Sequence, residues 1–384
     1  MGANKRVPEL RFKGFSGEWE EKKLEEIVDL CSGRDYKHLL DGNIPVYGTG
    51  GYMLSVNEAL SYDKNAIGIG RKGTINKPYV LKAPFWTVDT LFYAIPKKQN
   101  YLSFVYNIFQ KINWKQKDES TGVPSLSKVS INSIEIFSSK FDEQTKIGNY
   151  FQNLDKLIEQ KEKKHQKLGQ LKKAMLGKMF PKEGATNPEI RFKGFSGEWE
   201  EKKLGEIAIF TKGKGIAKAD ITNDGKILCV RYGELYTKYN EVISIIYSKT
   251  NSDINMVYSE ENDILMPTSD VTPTGLATAS ALSQSGIILG GDILIIRNHE
   301  IINRFFSYFV KGHKAKIIKL VSGTTVFHLY AKDIENLYLY LPKKVEQIYI
   351  ANYFQKLDHL IDLQNQELQK LKNIKKASLA KMFV

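Results

Sequence analysis

Five polar side chains that could bind a ligand stand close together in the first half of the chain. They are Arg71, Lys72, Thr74, Asn76 and Lys77. Cations, hydroxyls and amides of this kind hydrogen-bond to the edges of nucleic-acid bases, or contact phosphate oxygens, when a loop carries them to a groove. A solvated basic turn explains the same composition, and both interpretations remain open at this point.

Comparable polar segments occur elsewhere, two of them next to a glycine at matching places in the two halves of the chain. Their candidate binding residues are Ser120, Thr121, Arg231, Tyr232, Thr268, Ser269, Thr272, Ser322, Thr324 and Thr325. Hydroxyl groups and backbone N–H groups in such loops are typical phosphate contacts. The sequence does not indicate which of these residues would contact bases and which would contact phosphates.

The chain carries no motif that is typical of catalysis or of metal binding. Gly68–Thr74 lacks the spacing of a phosphate-binding P-loop, and there is no HExxH motif. Cys31 and Cys229 lack a CxxC partner, which indicates small core residues in a reducing compartment. We therefore predict no catalytic residue, no metal ligand and no cofactor in this chain.

Two blocks of the sequence occur twice. Pro8–Ile27 and Pro188–Ile207, here called the opening elements, differ at only two of twenty positions. Gln144–Phe180 and Gln347–Phe383 match at 20 of 37 positions without a gap. The inserts between these blocks barely resemble each other. A repeated frame around two unlike inserts predicts two recognition heads on one symmetric scaffold.

The longer repeated block predicts a long helix in each half of the chain. Apolar residues recur in both copies at alternating steps of four and three, the pattern of a coiled-coil seam. Lys161, His165 and Gln364 interrupt this seam. The order domain, helix, domain, helix predicts that the two helices pack antiparallel about a pseudo-twofold axis, although pairing with another chain remains an alternative.

Each insert combines several strand signals with one helix signal. Val46–Tyr52 combines strand-like and turn residues, and Ala66–Thr74 is predicted as a strand that ends in a basic turn. The other predicted strands are Phe85–Pro96, Lys226–Tyr232, Asp263–Met266 and Asp292–Ile296, and the predicted helices are Tyr101–Lys111 and Ile301–Val310. The predicted fold class is α+β (mixed α/β), with two recognition domains separated by two long antiparallel coiled-coil helices. The predicted boundaries are 1–143, 144–180, 181–346 and 347–384.

Charge and hydropathy indicate the kind of partner. The net charge of +13 over 384 residues fits a polyanion, and a solvated lysine-rich helix face is the alternative explanation. No run of about 18 apolar residues could span a membrane, and the first residues lack an apolar signal core. We therefore expect a cytoplasmic protein without a membrane partner.

A twofold arrangement with unlike heads suits double-stranded DNA. Symmetric DNA-binding proteins dock on half-sites about one helical turn apart. Because the two inserts differ, the two half-sites should differ as well. The sequence thus predicts a split, non-palindromic DNA site with an unread gap that the helices set.

The whole chain resembles the specificity (S) subunits of type I restriction–modification systems. The resemblance rests on the order of variable domain and repeated helix, and on the FSGEWEEKKL motif at Phe15–Leu24 and Phe195–Leu204. It also rests on the helix openings IGNYFQNLDKLI at Ile147–Ile158 and IANYFQKLDHLI at Ile350–Ile361.

This resemblance implies two target-recognition domains that each read half of a bipartite DNA site, in a subunit without catalysis of its own. It implies two modification (methyltransferase) subunits that bind S-adenosylmethionine, methylate adenine and dock on the repeated helices. It also implies restriction subunits that translocate DNA with ATP and Mg²⁺. A coiled-coil scaffold that binds proteins and has no DNA specificity remains the alternative.

Overall fold

The computed structural model describes residues 6–384. The chain divides into two compact units: unit 1 runs to Lys163 and includes Gln366–Val384, and unit 2 is Lys164–Asn365. The division falls inside both long helices, so each unit contains one recognition domain, the first part of one long helix and the last part of the other. Among the described residues, no helix is long and apolar enough to cross a membrane.

Unit 1 is built from short strands and a few helices. Its strands are β1 (Glu20–Lys23), β2 (Val28–Ser32), β3 (Asp41–Gly48), β4 (Gly51–Val56), β5 (Ala66–Gly70), β6 (Tyr79–Leu81), β7 (Trp86–Thr87), β8 (Leu91–Pro96) and β9 (Glu135–Ser138). Its helices are α1 (Leu24–Ile27), α2 (Leu102–Lys111), α3 (Lys128–Asn132) and the first part of α4 (Phe141–Lys178). A 3₁₀ turn covers Trp114–Lys117.

Unit 2 has a closely similar element order. Its strands are β10 (Glu200–Lys203), β11 (Ala208–Lys212), β12 (Ile227–Val230), β13 (Ser248–Thr250), β14 (Asp263–Pro267), β15 (Ser269–Asp270), β16 (Ser280–Leu282), β17 (Ile288–Leu289), β18 (Ile293–Asn298), β19 (Ser322–Gly323), β20 (Phe327–His328) and β21 (Tyr338–Leu341). Its helices are α5 (Leu204–Ile207), α6 (Glu234–Thr237), α7 (Pro273–Leu276), α8 (Asn303–Gly312), α9 (Lys314–Ile318), α10 (Ala331–Glu335) and the first part of α11 (Lys344–Lys381). A 3₁₀ turn covers Lys218–Asp220.

The two recognition domains share one sheet topology although their sequences are unlike. Unit 1 has sheets in the strand orders β2-β8-β5-β6 and β4-β3-β7, and unit 2 has the matching orders β11-β18-β14-β16 and β13-β12-β17. In both domains one pairing of the smaller sheet is parallel, namely β3 with β7 and β12 with β17. Unit 2 adds a ribbon in the order β15-β20-β19. The predicted mixed fold class is confirmed.

Most predicted elements lie where the sequence placed them, with one correction. The strand predicted over Phe85–Pro96 is two strands, β7 and β8, because the chain turns between Thr87 and Leu91 and the N–H of Leu91 bonds to the carbonyl of Val88 at 3.0 Å. The long helices begin three residues before the repeated blocks and end two residues before the blocks end.

Each opening element joins a recognition domain to a long helix. In unit 1, β1 pairs antiparallel with β9, and the Arg11 guanidinium binds the Glu143 carboxylate through Nε–Oε1 at 2.7 Å and Nη2–Oε2 at 2.8 Å. Glu143 lies in the first turn of α4 and is 2% exposed. This bidentate, charge-assisted geometry is strong and directional. It fixes the opening element against the start of the helix.

Unit 2 repeats this junction. β10 pairs antiparallel with β21, and Arg191 binds Glu346 at 2.6 and 2.7 Å. The opening element of unit 2 also contacts the last turn of α4, because the N–H of Ile190 bonds to the carbonyl of Lys178 at 2.9 Å. In unit 1 the equivalent bond runs from Leu10 to Lys381, also at 2.9 Å. These bonds satisfy terminal carbonyls that a helix cannot pair internally.

The two long helices run antiparallel within each unit. In unit 1, Asp155 of α4 pairs with Lys375 of α11 at 2.6 Å, and Glu162 pairs with Lys372 at 2.7 Å. Residues of increasing number along α4 therefore pair with residues of decreasing number along α11. In unit 2, Lys172 pairs with Asp358 at 2.5 Å, at the positions equivalent to Lys375 and Asp155. The antiparallel order predicted from the sequence is confirmed in each unit.

The predicted interruptions of the helix seam have different surroundings. Lys161 forms an ion pair with Glu367 in unit 1. In unit 2, Gln364 is 7% exposed, and the half-buried His165 has no hydrogen-bond partner for its Nδ1 among the described residues. Apolar packing is densest toward the helix ends, where Phe151 and Phe354 are fully buried.

A phenylalanine just beyond the end of each long helix completes an aromatic core. Phe383 packs against Phe104 and Phe151 in unit 1, with ring centroids 5.2 and 5.9 Å apart. Phe180 packs in the same way against Phe305 and Phe354 in unit 2, at 5.2 and 6.0 Å. The core of each recognition domain therefore includes a residue from the end of the helix that began in the other unit.

Replacing these phenylalanines should weaken the two units separately. We expect F383A to lower amide protection in α2 far more than in α8, and F180A to do the opposite, because each removes one buried ring worth about 3–5 kcal/mol. Hydrogen exchange with mass spectrometry measures both regions in one experiment, and each variant serves as the control for the other. Equal losses in both helices after either substitution would contradict this assignment.

Candidate nucleic-acid interface

The basic loop predicted in the first domain follows β5 and is tied down by its backbone. The N–H of Arg71 bonds to the carbonyl of Thr90 at 2.8 Å, and the carbonyl of Arg71 accepts from Leu126 at 2.9 Å. Gly70 must be glycine, because a Cβ there would lie 2.1 Å from the carbonyl oxygen of Thr74. The loop can therefore turn sharply out of the strand and present the following side chains.

A second segment, Asp118–Ser125, lies against this loop. The N–H of Gly73 bonds to the carbonyl of Pro124 at 2.8 Å, and Lys72 and Ser125 form an isolated β-bridge. Asp118 organises the segment by accepting from the N–H of Ser125 at 2.9 Å and from the N–H and Oγ of Ser120 at 3.0 and 2.8 Å. These bonds, the Ser125 N–H foremost, lower the pKa of Asp118.

The structure thus brings the predicted residues of unit 1 onto one surface. Arg71, Lys72, Asn76, Lys77 and Thr121 are exposed, whereas Thr74 and Ser120 are half-buried. The guanidinium carbon of Arg71 lies 5.8 Å from the ring centre of Phe92, within reach of a cation–π interaction. The surface therefore offers one guanidinium fork of donors beside an aromatic ring and several exposed polar groups.

In unit 2 the predicted segments meet in the ribbon β15-β20-β19. Ser269 and Ser322 both pair with His328 from opposite sides. Thr324 and Thr325 are exposed at the turn of this ribbon, and Thr272 is exposed beyond β15. Thr268 is 6% exposed, so its side chain lies beneath this surface.

Arg231 and Tyr232 lie beside the same ribbon. They follow β12, and their neighbour Tyr236 contacts Asp270: burial raises the pKa of Tyr236, and the Asp270 carboxylate raises it further. Tyr232 is 36% exposed. Arg231 is less available than the sequence suggested, since it is half-buried and its Nη2 lies 3.8 Å from Glu234.

The two surfaces occupy equivalent places in the common fold. Leu329 donates to the carbonyl of Thr268 as Leu126 does to that of Arg71, and the Thr268 N–H bonds to Asp292 as that of Arg71 bonds to Thr90. Unit 1 presents cations at this place, and unit 2 presents hydroxyls and an imidazole. The same frame therefore holds two different sets of hydrogen-bonding groups.

Several members of these surfaces escaped the sequence analysis. Ser125 and His328 stand at the 203-residue shift of the repeated helices, directly before Leu126 and Leu329, so extending the repeat by one residue would have found them. Asp118 and Tyr236 act through contacts with distant parts of the chain, which no local pattern reveals. Val271 is 72% exposed at the centre of the unit 2 loop.

The groups on these two surfaces are hydrogen-bond donors and acceptors. Within residues 6–384 no three His, Cys, Asp or Glu side chains come close enough to hold a metal ion. Arginine, serine, threonine and histidine groups on exposed loops can hydrogen-bond to base edges and phosphates. Arginine pairs best with guanine through two parallel bonds.

Comparison with known proteins agrees with this geometry. The family model described as "Type I restriction modification DNA specificity domain" matches residues 16–170 and again residues 196–373. Each match covers the second part of one opening element, one recognition domain and most of one long helix. The match extends over most of the chain.

Curated relatives and a solved structure show similarity over nearly the same length. The MjaVIII specificity subunit of a type I restriction enzyme from Methanocaldococcus jannaschii is 24% identical over 81% of this chain and 73% of the relative. The MjaIX specificity subunit from the same organism is 23% identical over 95% and 92%. The crystal structure of a type I restriction–modification S subunit from M. genitalium has a TM-score of 0.67 at 18% identity and covers 98% of this chain and 99% of that one.

The order of the Asp118–Ser125 segment should depend on pH. Because the folded-state pKa of Asp118 is lowered, its contribution is complete above the ordinary aspartate pKa of about 3.9. The contribution is lost as the pH falls through the lower folded value. We expect the amide protection of Ser120 and Ser125 to fall over that acidic range, measured against the Leu24 amide, which bonds to a backbone carbonyl. In D118N, protection should be lower and should not change with pH in this range.

Proposed function

The chain belongs to the type I restriction–modification DNA specificity domain family, and on this premise we propose that its two units read the two unlike halves of one bipartite DNA site. The observation that carries the proposal is the pair of equivalent loop surfaces with different chemistry. A shared sheet topology places both surfaces alike in their domains. Their residues differ, so the base pairs that they select should differ.

Unit 1 reads bases with Arg71 and binds phosphates with lysines. Arg71 lies beside Phe92, and a planar guanidinium suits the paired acceptors of guanine in the major groove. Lys72 and Lys77 are exposed, and such flexible cations contribute sequence-independent, salt-dependent affinity for phosphates.

Unit 2 reads with neutral groups. Hydroxyls such as Ser269 and Thr324 can donate or accept, and they suit several bases. Val271 is an exposed apolar group that could contact a thymine methyl. Unit 2 should therefore depend less on salt than unit 1.

Catalysis falls to other subunits in this proposal. Specificity subunits in general are not catalytic. Two modification subunits would bring S-adenosylmethionine and methylate adenine, and restriction subunits would use ATP and Mg²⁺. Equivalent apolar side chains support paired docking on the helices: Leu157 and Leu360 are 46% and 47% exposed, and Leu171 and Ile374 are 39% and 38% exposed.

The rival function is a protein-interaction scaffold without DNA specificity. The exposed apolar residues of the helices fit such a scaffold equally well. The loop surfaces distinguish the two functions, because a protein-binding scaffold would not need cations and hydroxyls at equivalent loops around an otherwise shared frame.

Exchanging one insert tests independent reading directly. We expect replacement of Val28–Ser125 by the first insert of another family member to change one half of the methylated sequence and to leave the other half unchanged. The replaced segment carries the complete unit 1 surface up to the repeat at Leu126. Sequencing of methylated bases in a host with the full complex gives the result. Changes in both halves would contradict independent units, and an unchanged sequence would favour the scaffold.

Single substitutions should separate reading from phosphate binding. We expect K72A to weaken binding to every duplex and to reduce the slope of log affinity against log salt by about 1. We expect R71A to weaken binding to the recognised sequence by about 1–3 kcal/mol and to spare unrelated DNA. Binding titrations of the complex at several salt concentrations measure both. A K72A loss confined to one sequence would reverse these roles.

A further inference from the structure

Each recognition domain carries one exposed cation directly beside its proposed reading surface, Arg34 in unit 1 and Lys214 in unit 2. We propose that these two residues are phosphate contacts of the same kind in both units: each binds one phosphate of its own half-site, whatever the base sequence there. This assignment rests on the DNA-reading function proposed above. It separates residues that position the duplex from residues that select bases.

The two cations follow one another at the spacing of the repeat, although the sequences around them are unlike. Val28–Asp35 and Ala208–Gly215 stand at the 180-residue shift of the opening elements, and only one of these eight positions is identical. That position is a glycine, Gly33 or Gly213, and the next residue is basic in both units. A glycine followed by a positive charge is therefore what the two segments have in common.

In unit 1 this glycine and cation are bonded to the segment that joins β7 to β8. The N–H of Gly33 bonds to the carbonyl of Leu91 at 3.0 Å, and the N–H of Arg34 bonds to the carbonyl of Thr87 at 2.9 Å. Gly33 must be glycine, because a Cβ there would lie 2.0 Å from the carbonyl oxygen of Val88. The loop after β5 is bonded to the same segment, so Arg34 lies next to that loop.

Unit 2 repeats this arrangement at the segment between β17 and β18. The N–H of Gly213 bonds to the carbonyl of Ile293, and the N–H of Lys214 bonds to the carbonyl of Leu289, both at 2.9 Å. A Cβ on Gly213 would lie 2.0 Å from the carbonyl oxygen of Gly290. The loop after β14 is bonded to this segment as well. Equal bonds and an equal steric limit place the two cations at one position of the common fold.

Both charges are available to a ligand. Arg34 and Lys214 are exposed, and neither forms an ion pair within residues 6–384. Lys212 is different although it is only two residues away, because its Nζ lies 3.5 Å from the Asp292 carboxylate. An exposed cation without a carboxylate partner is free to neutralise a phosphate and to release the counterions of that phosphate.

The likeness of the two cations distinguishes phosphate binding from base reading. Phosphates carry no sequence information, so a residue that binds them can be alike in two units that read different half-sites. Residues that read bases must differ there, and Arg71 of unit 1 has Thr268 as its equivalent in unit 2. Arginine and lysine both bind phosphate, whereas they are not interchangeable where two parallel bonds select a base. Arginine at one position and lysine at its equivalent therefore favour phosphate.

Neutral substitutions test this assignment in the complex of the full-length chain with its modification subunits. R34Q, K214Q and the double variant are titrated with a duplex that contains the recognised sequence and with an unrelated duplex, at several salt concentrations. The matched control is K13Q/K193Q, which removes two exposed lysines at the same 180-residue shift within the opening elements.

We expect each single substitution to reduce the slope of log affinity against log salt by about 1, and the double variant to reduce it by about 2, on both duplexes. R34K and K214R should keep the wild-type slope, because either cation neutralises a phosphate, and the methylated sequence should stay the same in every variant. An unchanged slope in the double variant would overturn the assignment. So would an equal reduction in K13Q/K193Q, since net charge alone would then explain the effect, and so would a loss confined to the recognised duplex, since the two residues would then read bases.

Neutral phosphate analogues locate the two contacts. A methylphosphonate group replaces one charged phosphate at a time in each half-site, and the loss of affinity is compared between wild type and variant as a double-mutant cycle. We expect one position in one half-site where R34Q removes this loss, and one position in the other half-site where K214Q removes it. The absence of such a position in both half-sites would refute the contacts.

The DNA-reading function fails separately. If the wild-type complex prefers no sequence, that function is wrong, while the slopes still report whether Arg34 and Lys214 bind phosphates. If the complex selects a sequence and the slopes do not change, only the shared phosphate contacts are refuted.

Discussion

The structure depends on two phenylalanines that are distant in sequence from most of the residues of the cores they complete. Phe383 closes the aromatic core of unit 1 against Phe104 and Phe151, and Phe180 does the same in unit 2 against Phe305 and Phe354. Each ring follows the end of a helix that began in the other unit. Burying a ring of this size contributes several kcal/mol, so each domain gains this stabilisation only when the opposite helix is complete.

This frame explains how one chain can hold two unlike readers. Burial fixes the sheets, and the Arg11–Glu143 and Arg191–Glu346 pairs fix each domain to a helix start. The exposed side chains of the loops after β5 and β14 lie outside those cores, although Ile75 is buried in the core of unit 1 and the loop backbones are tied in the same way. These exposed side chains can therefore differ without cost to the fold. Two different half-sites require this combination: loop backbones that are positioned alike in both units, and exposed side chains that can differ between them.

Sequence patterns predicted the repeated parts well and the contacts between distant parts poorly. The long helices follow from the periodicity of their apolar residues, and their antiparallel order follows from the duplication. The common sheet topology was not visible in the sequences of the two inserts. Burial determines which positions are apolar, but it does not determine which apolar residue occupies each position. The break between β7 and β8 and the Asp118 hydrogen bonds depend on segments that meet only in the folded chain. The candidate site was found as separate loops, and their assembly into two equivalent surfaces needed the structure.

The position of Phe383 has a consequence for biosynthesis. The ribosome produces the first recognition domain early, yet the ring that seals it emerges about 200 residues after Phe180. Until then Phe104 and Trp19 lack one of their aromatic neighbours. Domains usually fold in N-terminal-first order during translation, and this order is thus reversed for this pair. The core of the second domain can be completed while the core of the first still lacks Phe383. The first domain then exposes apolar surface of the kind that chaperones recognise.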